Sequence, residues 1–177
     1  MALFSVMVIV GAATISVTRR DHFRSISLGV LTLLLAWAAQ WHIDIYISEK
    51  VANLPFLLFF LYIVYSLIYR ILQSKNVTPD VILGAITGYI FLGYAGSIYF
   101  VVIHDLYPGS FGGAMNNSMN PIYYSFVCMT TLGFGDITPI SNAAKGGTII
   151  LTIFGQFYIA VIVALLVSKY LFKSKTN

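Results

Sequence analysis

The chain has 177 residues, of which 59% are hydrophobic and only 9% are charged. Soluble globular domains carry about 25% charged residues, so the composition excludes a fold that is exposed to water on all sides. Ten Lys and Arg residues and six acids leave a formal charge of +4, and the basic residues stand in short stretches between long apolar runs. This pattern is typical of the cytoplasmic loops of a membrane protein and excludes a nucleic-acid-binding face.

Five apolar stretches reach or approach the length of about 20 residues that a membrane-spanning helix requires. In chain order they are Ala2 to Val17, Ile26 to Ile43, Leu54 to Leu72, Val81 to Ile103 and Gly146 to Ser168. The predicted fold is therefore an all-α integral membrane protein with five transmembrane helices. Residues 1–77 form a predicted N-terminal region of three helices, and residues 78–177 form the predicted second domain.

Basic residues set the predicted orientation, because short loops rich in Lys and Arg stay on the cytoplasmic side. The groups that follow the first, third and fifth spans all fall on one side of the membrane: Arg19, Arg20 and Arg24, then Arg70 and Lys75, then Lys169, Lys173 and Lys175. We therefore predict a multi-pass protein of the cell membrane with a cytoplasmic C-terminus and an external segment at residues 104–145. Five spans leave Met1 outside, so we expect either a reverse-anchored first helix or the loss of an upstream span.

Local signals refine the third and fourth spans. Asn53 and Thr78 are predicted to cap them through their side chains, each followed by a proline in the first turn. Small residues spaced along the fourth span predict the close approach of another helix, although glycine is also common in membrane helices generally. They are Gly84, Gly88, Gly93 and Gly96.

The external segment contains a short apolar run, Pro121 to Met129, followed by Thr-Thr-Leu-Gly-Phe-Gly-Asp at residues 130–136. The run of about nine residues is too short to cross a bilayer as a helix. Non-helical backbone at membrane depth occurs only where protein buries it or where it lines a water-filled path. We therefore predict a re-entrant helix, capped by Asn120 or Ser118, and then an extended pore lining between the fourth and fifth spans.

The residues of this lining suit a potassium ion. K⁺ gives up its water only where oxygens replace the hydration shell, and consecutive backbone carbonyls can do so if they point to one axis. An ordinary strand points its carbonyls to alternate sides, whereas Gly133 and Gly135 can adopt the positive φ angles that bring them together. The Thr131 hydroxyl can add a further ring of oxygens. The negative C-terminal end of the short helix would stabilise a cation nearby.

The stretch at residues 130–136 resembles the signature of the potassium channel family, whose filter is usually written Thr-Val-Gly-Tyr-Gly followed by an aspartate. The resemblance extends over residues 78–172 and is similar to bacterial members that place extra spans ahead of a two-span pore unit. It implies that residues 78–177 are a pore domain and that the protein is a K⁺-selective channel subunit, acting as a homotetramer in the lipid bilayer.

Carried over residue by residue, the resemblance implies that the filter comprises Thr131, Leu132, Gly133, Phe134 and Gly135. The carbonyls of the first four of these residues would bind K⁺. Leu132 and Phe134 depart from the usual valine and tyrosine, which leaves the backbone chemistry intact.

Four residues around the filter are expected to support it: Thr130, Asp136, Tyr123 and Tyr124. The two tyrosines stand where the family often has paired tryptophans. We predict that the Tyr123 hydroxyl donates a hydrogen bond to Asp136, which would brace the external end of the filter.

The last span carries the predicted gate. Gly155 stands where the inner helix of the family often bends, and helix packing explains a glycine there equally well. Thr152, Gln156, Ile159 and Val163 recur at helical spacing and are predicted to face a central cavity. Rings of Ile159 and Val163 would form a hydrophobic constriction.

Other functions fit the sequence less well. A membrane enzyme needs converging acids, histidines or a nucleophile, and a secondary transporter needs intramembrane charges and repeated halves. Neither pattern is present, so we expect no enzymatic activity and no cofactor beyond the permeant ion. A poorly selective cation channel and a non-conducting structural subunit remain alternatives.

Overall fold

The computed structural model describes residues 53–74, 76–115, 117 and 119–174, together with residues 27, 29–31 and 34. The first predicted span, Ala2 to Val17, lies outside the described residues. So does most of the second, Ile26 to Ile43. Neither of these two predictions is tested by the structure.

The described chain consists mainly of helices. Helix α1 comprises Leu54–Gln73, α2 Pro79–Leu106, α3 Met119–Met129 and α4 Asn142–Ser174. Two short strands form an antiparallel pair: β1 at Phe111–Gly112, which precedes α3 in the sequence, and β2 at Thr138–Pro139, which follows it. The predicted all-α class therefore omitted one strand pair, which is too short to leave a periodic pattern in the sequence.

Three of the described helices are long and apolar enough to cross a membrane: α1, α2 and α4. They coincide with the predicted third, fourth and fifth spans, and α2 and α4 extend beyond the predicted limits at both ends. The extra turns are more polar, so a hydropathy criterion alone ended these spans too early.

The predicted side-chain caps of α1 and α2 are wrong. Neither Asn53 nor Thr78 hydrogen-bonds to the helix through its side chain, although each helix has its predicted proline in the first turn. Asn53 already has helical backbone angles (φ −86°, ψ −14°), whereas a capping residue normally lies in the β region. Thr78 is extended and exposed, where water can satisfy the first N–H groups of α2.

An aromatic cluster joins α1 to α2. Phe60 of α1 is fully buried, and its ring centroid lies 5.3 Å from that of Phe91 on α2. Ile63 and Leu67 continue the buried face of α1 toward its C-terminal end. This packing places α1 along one side of α2.

Helix α3 packs against α2 through small residues. A Cβ atom on Gly93 would lie 2.5 Å from the Phe126 ring, and one on Gly96 would lie 2.6 Å from both Leu151 and Ser125. The buried Ser125 hydroxyl donates a 2.6 Å hydrogen bond to the Gly93 carbonyl. The predicted close approach is thus confirmed at these positions, whereas a Cβ atom on Gly84 would lie no closer than 3.9 Å to another helix, at Leu67.

Tyr158 fixes α4 to α2. Its side chain is 8% exposed, and its hydroxyl donates a 2.8 Å hydrogen bond to the Ala85 carbonyl. The hydroxyl lies directly over Gly88, where any Cβ atom would displace it. The absence of a side chain at Gly88 therefore admits the tyrosine.

Tyr158→Phe should lower the free energy of unfolding by about 1 kcal/mol, because it removes this buried hydrogen bond. Tyr65→Phe is the matched control, since Tyr65 is 66% exposed on α1. The thermal unfolding midpoints of both purified variants in detergent micelles measure the effect. Equal midpoints for the two variants would contradict a stabilising role for the Tyr158 hydroxyl.

Candidate functional site

The N-terminal end of α3 is capped by Asn117. Its side-chain oxygen accepts hydrogen bonds from the backbone N–H groups of Met119 at 3.0 Å and Asn120 at 2.8 Å. The predicted cap by Asn120 is wrong, because the Asn120 amide instead donates to the Ala114 carbonyl at 2.8 Å. Ser118, the other predicted cap, lies outside the described residues. Several polar residues precede α3, so the capping residue could not be identified from the sequence alone.

The C-terminal end of α3 closes in a Schellman motif. The N–H of Leu132 donates to the Val127 carbonyl at 3.0 Å, and the N–H of Thr131 donates to the Cys128 carbonyl at 3.1 Å. The motif requires a left-handed backbone at the first of these two donor residues, Thr131, whose φ is 62°. Glycine is usual at this position, and a β-branched residue there is strained.

One side chain of α4 completes this helix end. Gln156 Nε2 donates to the Met129 carbonyl at 3.0 Å. The Thr152 hydroxyl donates to the Thr148 carbonyl of its own helix at 2.8 Å and lies 3.3 Å from the Cys128 carbonyl, which accepts from the N–H of Thr131. The Phe126 carbonyl accepts from the N–H of Thr130 at 2.9 Å and from its hydroxyl at 2.6 Å. All four terminal carbonyls of α3 are therefore satisfied, as helix ends away from water require.

Gly155 lies between Thr152 and Gln156 on α4 and contacts Met129. A Cβ atom on Gly155 would overlap the Met129 side chain and lie 3.0 Å from the Met129 carbonyl oxygen. Helix α4 continues without interruption through this residue. Close packing therefore accounts for the glycine, and a hinge at Gly155 stays a prediction.

Residues 131–135 form a segment without regular secondary structure, in which positive φ angles recur at every second residue. Thr131, Gly133 and Gly135 have φ values of 62°, 57° and 79°, and Leu132 and Phe134 between them do not have positive φ. The predicted positive φ angles of the two glycines are confirmed. That of Thr131 was missed, because its residue type argues against it. Such alternation can turn successive carbonyls toward the same side, unlike an ordinary strand.

A hydrogen bond supports the C-terminal end of this segment. The Tyr123 hydroxyl donates to Asp136 Oδ2 at 2.7 Å, which confirms the predicted contact. This hydrogen bond, helped by partial desolvation and the negative charge of Asp136, raises the pKa of Tyr123. The hydroxyl therefore stays protonated and remains a donor at neutral pH. The Phe134 ring lies parallel to the Tyr123 ring, with centroids 6.5 Å apart.

The loop before α3 also contacts the C-terminal end of the 131–135 segment, at Asp136. Gly113 has φ 93°, and any Cβ atom on it would overlap the Asp136 carbonyl oxygen. Strands β1 and β2 pair next to this contact, with Gly112 opposite Thr138. The Gly-Gly pair at residues 112–113 was a visible signal of close backbone approach, but its partner could not be identified from the sequence.

Tyr124 has a different environment from Tyr123. It is 3% exposed, and its ring lies 4.8 Å from Phe100 and 5.4 Å from Phe111 between centroids. Its hydroxyl shares a 2.8 Å hydrogen bond with Thr148 of α4. Tyr124 therefore fixes α3 to its neighbours, and its hydroxyl bonds to α4, whereas the Tyr123 hydroxyl bonds to Asp136.

The predicted gate residues lie on one face of α4. Ile159 is 43% exposed and Val163 is 52% exposed, whereas Tyr158 and Ile162 next to them are buried against α2. Gln156, about one helical turn before Ile159, is also exposed. Within the described ranges, no group of His, Cys, Asp and Glu residues is arranged to hold a metal ion.

Gly155→Ala should lower the free energy of unfolding by about 1–3 kcal/mol, because the added methyl group overpacks the contact with Met129. Gly146→Ala is the matched control on α4, where a Cβ atom meets nothing within 4 Å. It should raise stability by about 0.5–1 kcal/mol through helix propensity. Thermal unfolding in detergent measures both variants. A stabilised Gly155→Ala protein would favour the hinge over the packing interpretation.

Comparison with known proteins agrees with this arrangement. No curated protein matches the chain. A family model described as an ion channel, Ion_trans_2, matches residues 56–171, from the first turn of α1 to the last turns of α4. The match covers more than half of the 177 residues and includes α3 and the 131–135 segment. The chain therefore belongs to the Ion_trans_2 family of ion channels.

Proposed function

We propose that the protein is the subunit of a potassium-selective channel and that residues 131–135 are its selectivity filter. The observation that carries this proposal is the alternation of positive φ at Thr131, Gly133 and Gly135. It allows the carbonyls of Thr131, Leu132, Gly133 and Phe134 to face one axis. Together with the Thr131 hydroxyl, they would replace the water around K⁺.

A closed ring of carbonyls requires more than one chain. One subunit supplies a single filter strand, and cyclic symmetry around the filter supplies the others. We propose a homotetramer with the filter on the fourfold axis. The high exposure of Leu132 and Phe134, at 61% and 65% in the single chain, is consistent with side chains that neighbouring subunits cover.

The short helix α3 would enter the membrane and leave by the same face. Its 11 residues extend about 16 Å, against about 30 Å for the hydrocarbon core of a bilayer. We place the filter on the external side and the C-terminus in the cytoplasm, as the distribution of basic residues indicates. Helices α1, α2 and α4 would then cross the cell membrane.

Reconstitution into vesicles tests the proposal directly. With K⁺ on one side and Na⁺ on the other, the current should reverse near the potassium equilibrium potential. A reversal potential near zero would show a poorly selective cation channel instead. No current from a fully assembled protein would favour a structural subunit.

Gly135→Ala should abolish selectivity or current, because a Cβ atom opposes the φ of 79° at this position. Gly109→Ala is the matched control, since Gly109 also has positive φ (82°) and, like Gly135, no atom within 4 Å of an added Cβ. Both variants impose the same kind of strain, but only one lies in the filter. The reversal potential is measured for each. Equal selectivity in the two variants would count against the assigned filter.

Tyr123→Phe should shorten channel openings, because the hydrogen bond to Asp136 no longer braces the filter exit. The control is Tyr107→Phe, since Tyr107 is 56% exposed in the loop after α2. Single-channel recordings at constant voltage give the mean open time of each variant. The bracing role is wrong if Tyr123→Phe openings last as long as those of the wild type.

A further inference from the structure

Lys169, near the end of α4, contacts the end of α1. Its ammonium group donates to the carbonyls of Ile71 at 2.6 Å, Leu72 at 3.0 Å and Ser74 at 2.6 Å. The Ser74 hydroxyl lies 3.3 Å away. An ammonium group has three N–H donors, so these acceptors from one helix end engage it fully.

The contact satisfies a general requirement of helix ends. The last carbonyls of a helix lack intrahelical donors and carry partial negative charge, which a cation stabilises. Next to Lys169, the apolar residues Ile71 of α1, Ala85 of α2 and Ile162 of α4 form a buried cluster. The charged contact therefore borders a packed core and is not an isolated contact at the surface.

Helices α1 and α4 are separated toward their other ends. An open apolar groove of about 250 Å³ lies between them, lined by Leu57 and Leu61 of α1, by Ile150 and Phe154 of α4 and by residues of α2. Lys169 forms a polar link between these two helices at this end. It lies beyond Ile159 and Val163, the residues proposed to line the constriction.

The packing of the helices determines in which direction the Lys169 contact restrains the end of α4. Helix α1 packs along α2, whereas α3 packs against both α2 and α4 and leads into the 131–135 segment at its C-terminal end. In a tetramer around the filter, α1 lies at the periphery. A bond from Lys169 to α1 therefore holds the end of α4 away from the axis.

We propose that Lys169 is a latch that couples α1 to the pore-lining helix and favours the conducting state. The proposal rests on the proposed function, because it requires four copies of α4 around one pore. Loss of the ammonium group frees the end of α4 to move toward the axis. Displacement of α1 would act on the pore through the same bond.

The test compares variants of full-length protein in planar bilayers. Lys169→Met keeps an unbranched side chain of nearly the same length but removes its charge, and it should lower the open probability by about five-fold or more. Lys169→Arg retains a cationic donor and should restore most of the open probability. Lys145→Met removes the same charge near the other end of α4, where Lys145 is exposed, and should have no such effect.

Three results would overturn the latch: an open probability of Lys169→Met equal to or above that of the wild type, equal impairment of Lys169→Arg and Lys169→Met, or equal impairment of Lys145→Met. If Lys169→Met does not assemble, Lys169→Gln replaces it, with the same expected loss and the same contrary result. Open probability does not depend on which cation permeates. A non-selective wild-type current would therefore refute the proposed function while leaving the test of the latch intact.

Discussion

The structure depends on how the terminal carbonyls of α3 are satisfied. Their donors come from the backbone of residues 130–133 and from the side chains of Thr130 and Gln156. Because unsatisfied carbonyls are costly away from water, this arrangement fixes where α3 ends and the 131–135 segment begins. It also explains why Thr131 tolerates a left-handed conformation, since two hydrogen bonds of the Schellman motif depend on it.

The 131–135 segment is held mainly at its two ends. At one end it continues from the capped terminus of α3, and at the other Asp136 is bound by Tyr123 and enclosed by Gly113. Between them, Gly133 and Gly135 have open space around the position of a Cβ atom. Their importance is therefore conformational and not steric. Anchored ends determine the path of the backbone, while the glycines permit the angles that this path needs.

The sequence was sufficient for features with a strong local signal. Hydropathy predicted α1, α2 and α4. The alternate glycines predicted two of the three positive φ angles within residues 131–135. The missed features arise from contacts that local rules do not encode. Thr131 violates the preference of its residue type, Asn117 is one of several polar residues before α3, and Lys169 bonds to carbonyls about a hundred positions earlier. Gln156 was predicted to face a cavity, and its hydrogen bond to the Met129 carbonyl was likewise not predicted.

Helix α4 links these observations because it is bonded to α1, α2 and α3. Gln156 binds it to the end of α3, Tyr158 binds it to α2, and Lys169 binds it to the end of α1. Between Gln156 and Lys169, Ile162 also packs against α2, while Ile159 and Val163 on the adjacent face stay exposed in the single chain. Any displacement of α4 that preserves its bonds to α3 and α1 must therefore act on the stretch between them. In the proposed tetramer, this is the stretch in which the exposed apolar faces of four copies would meet, so a change at either attachment would act on the width of the pore there.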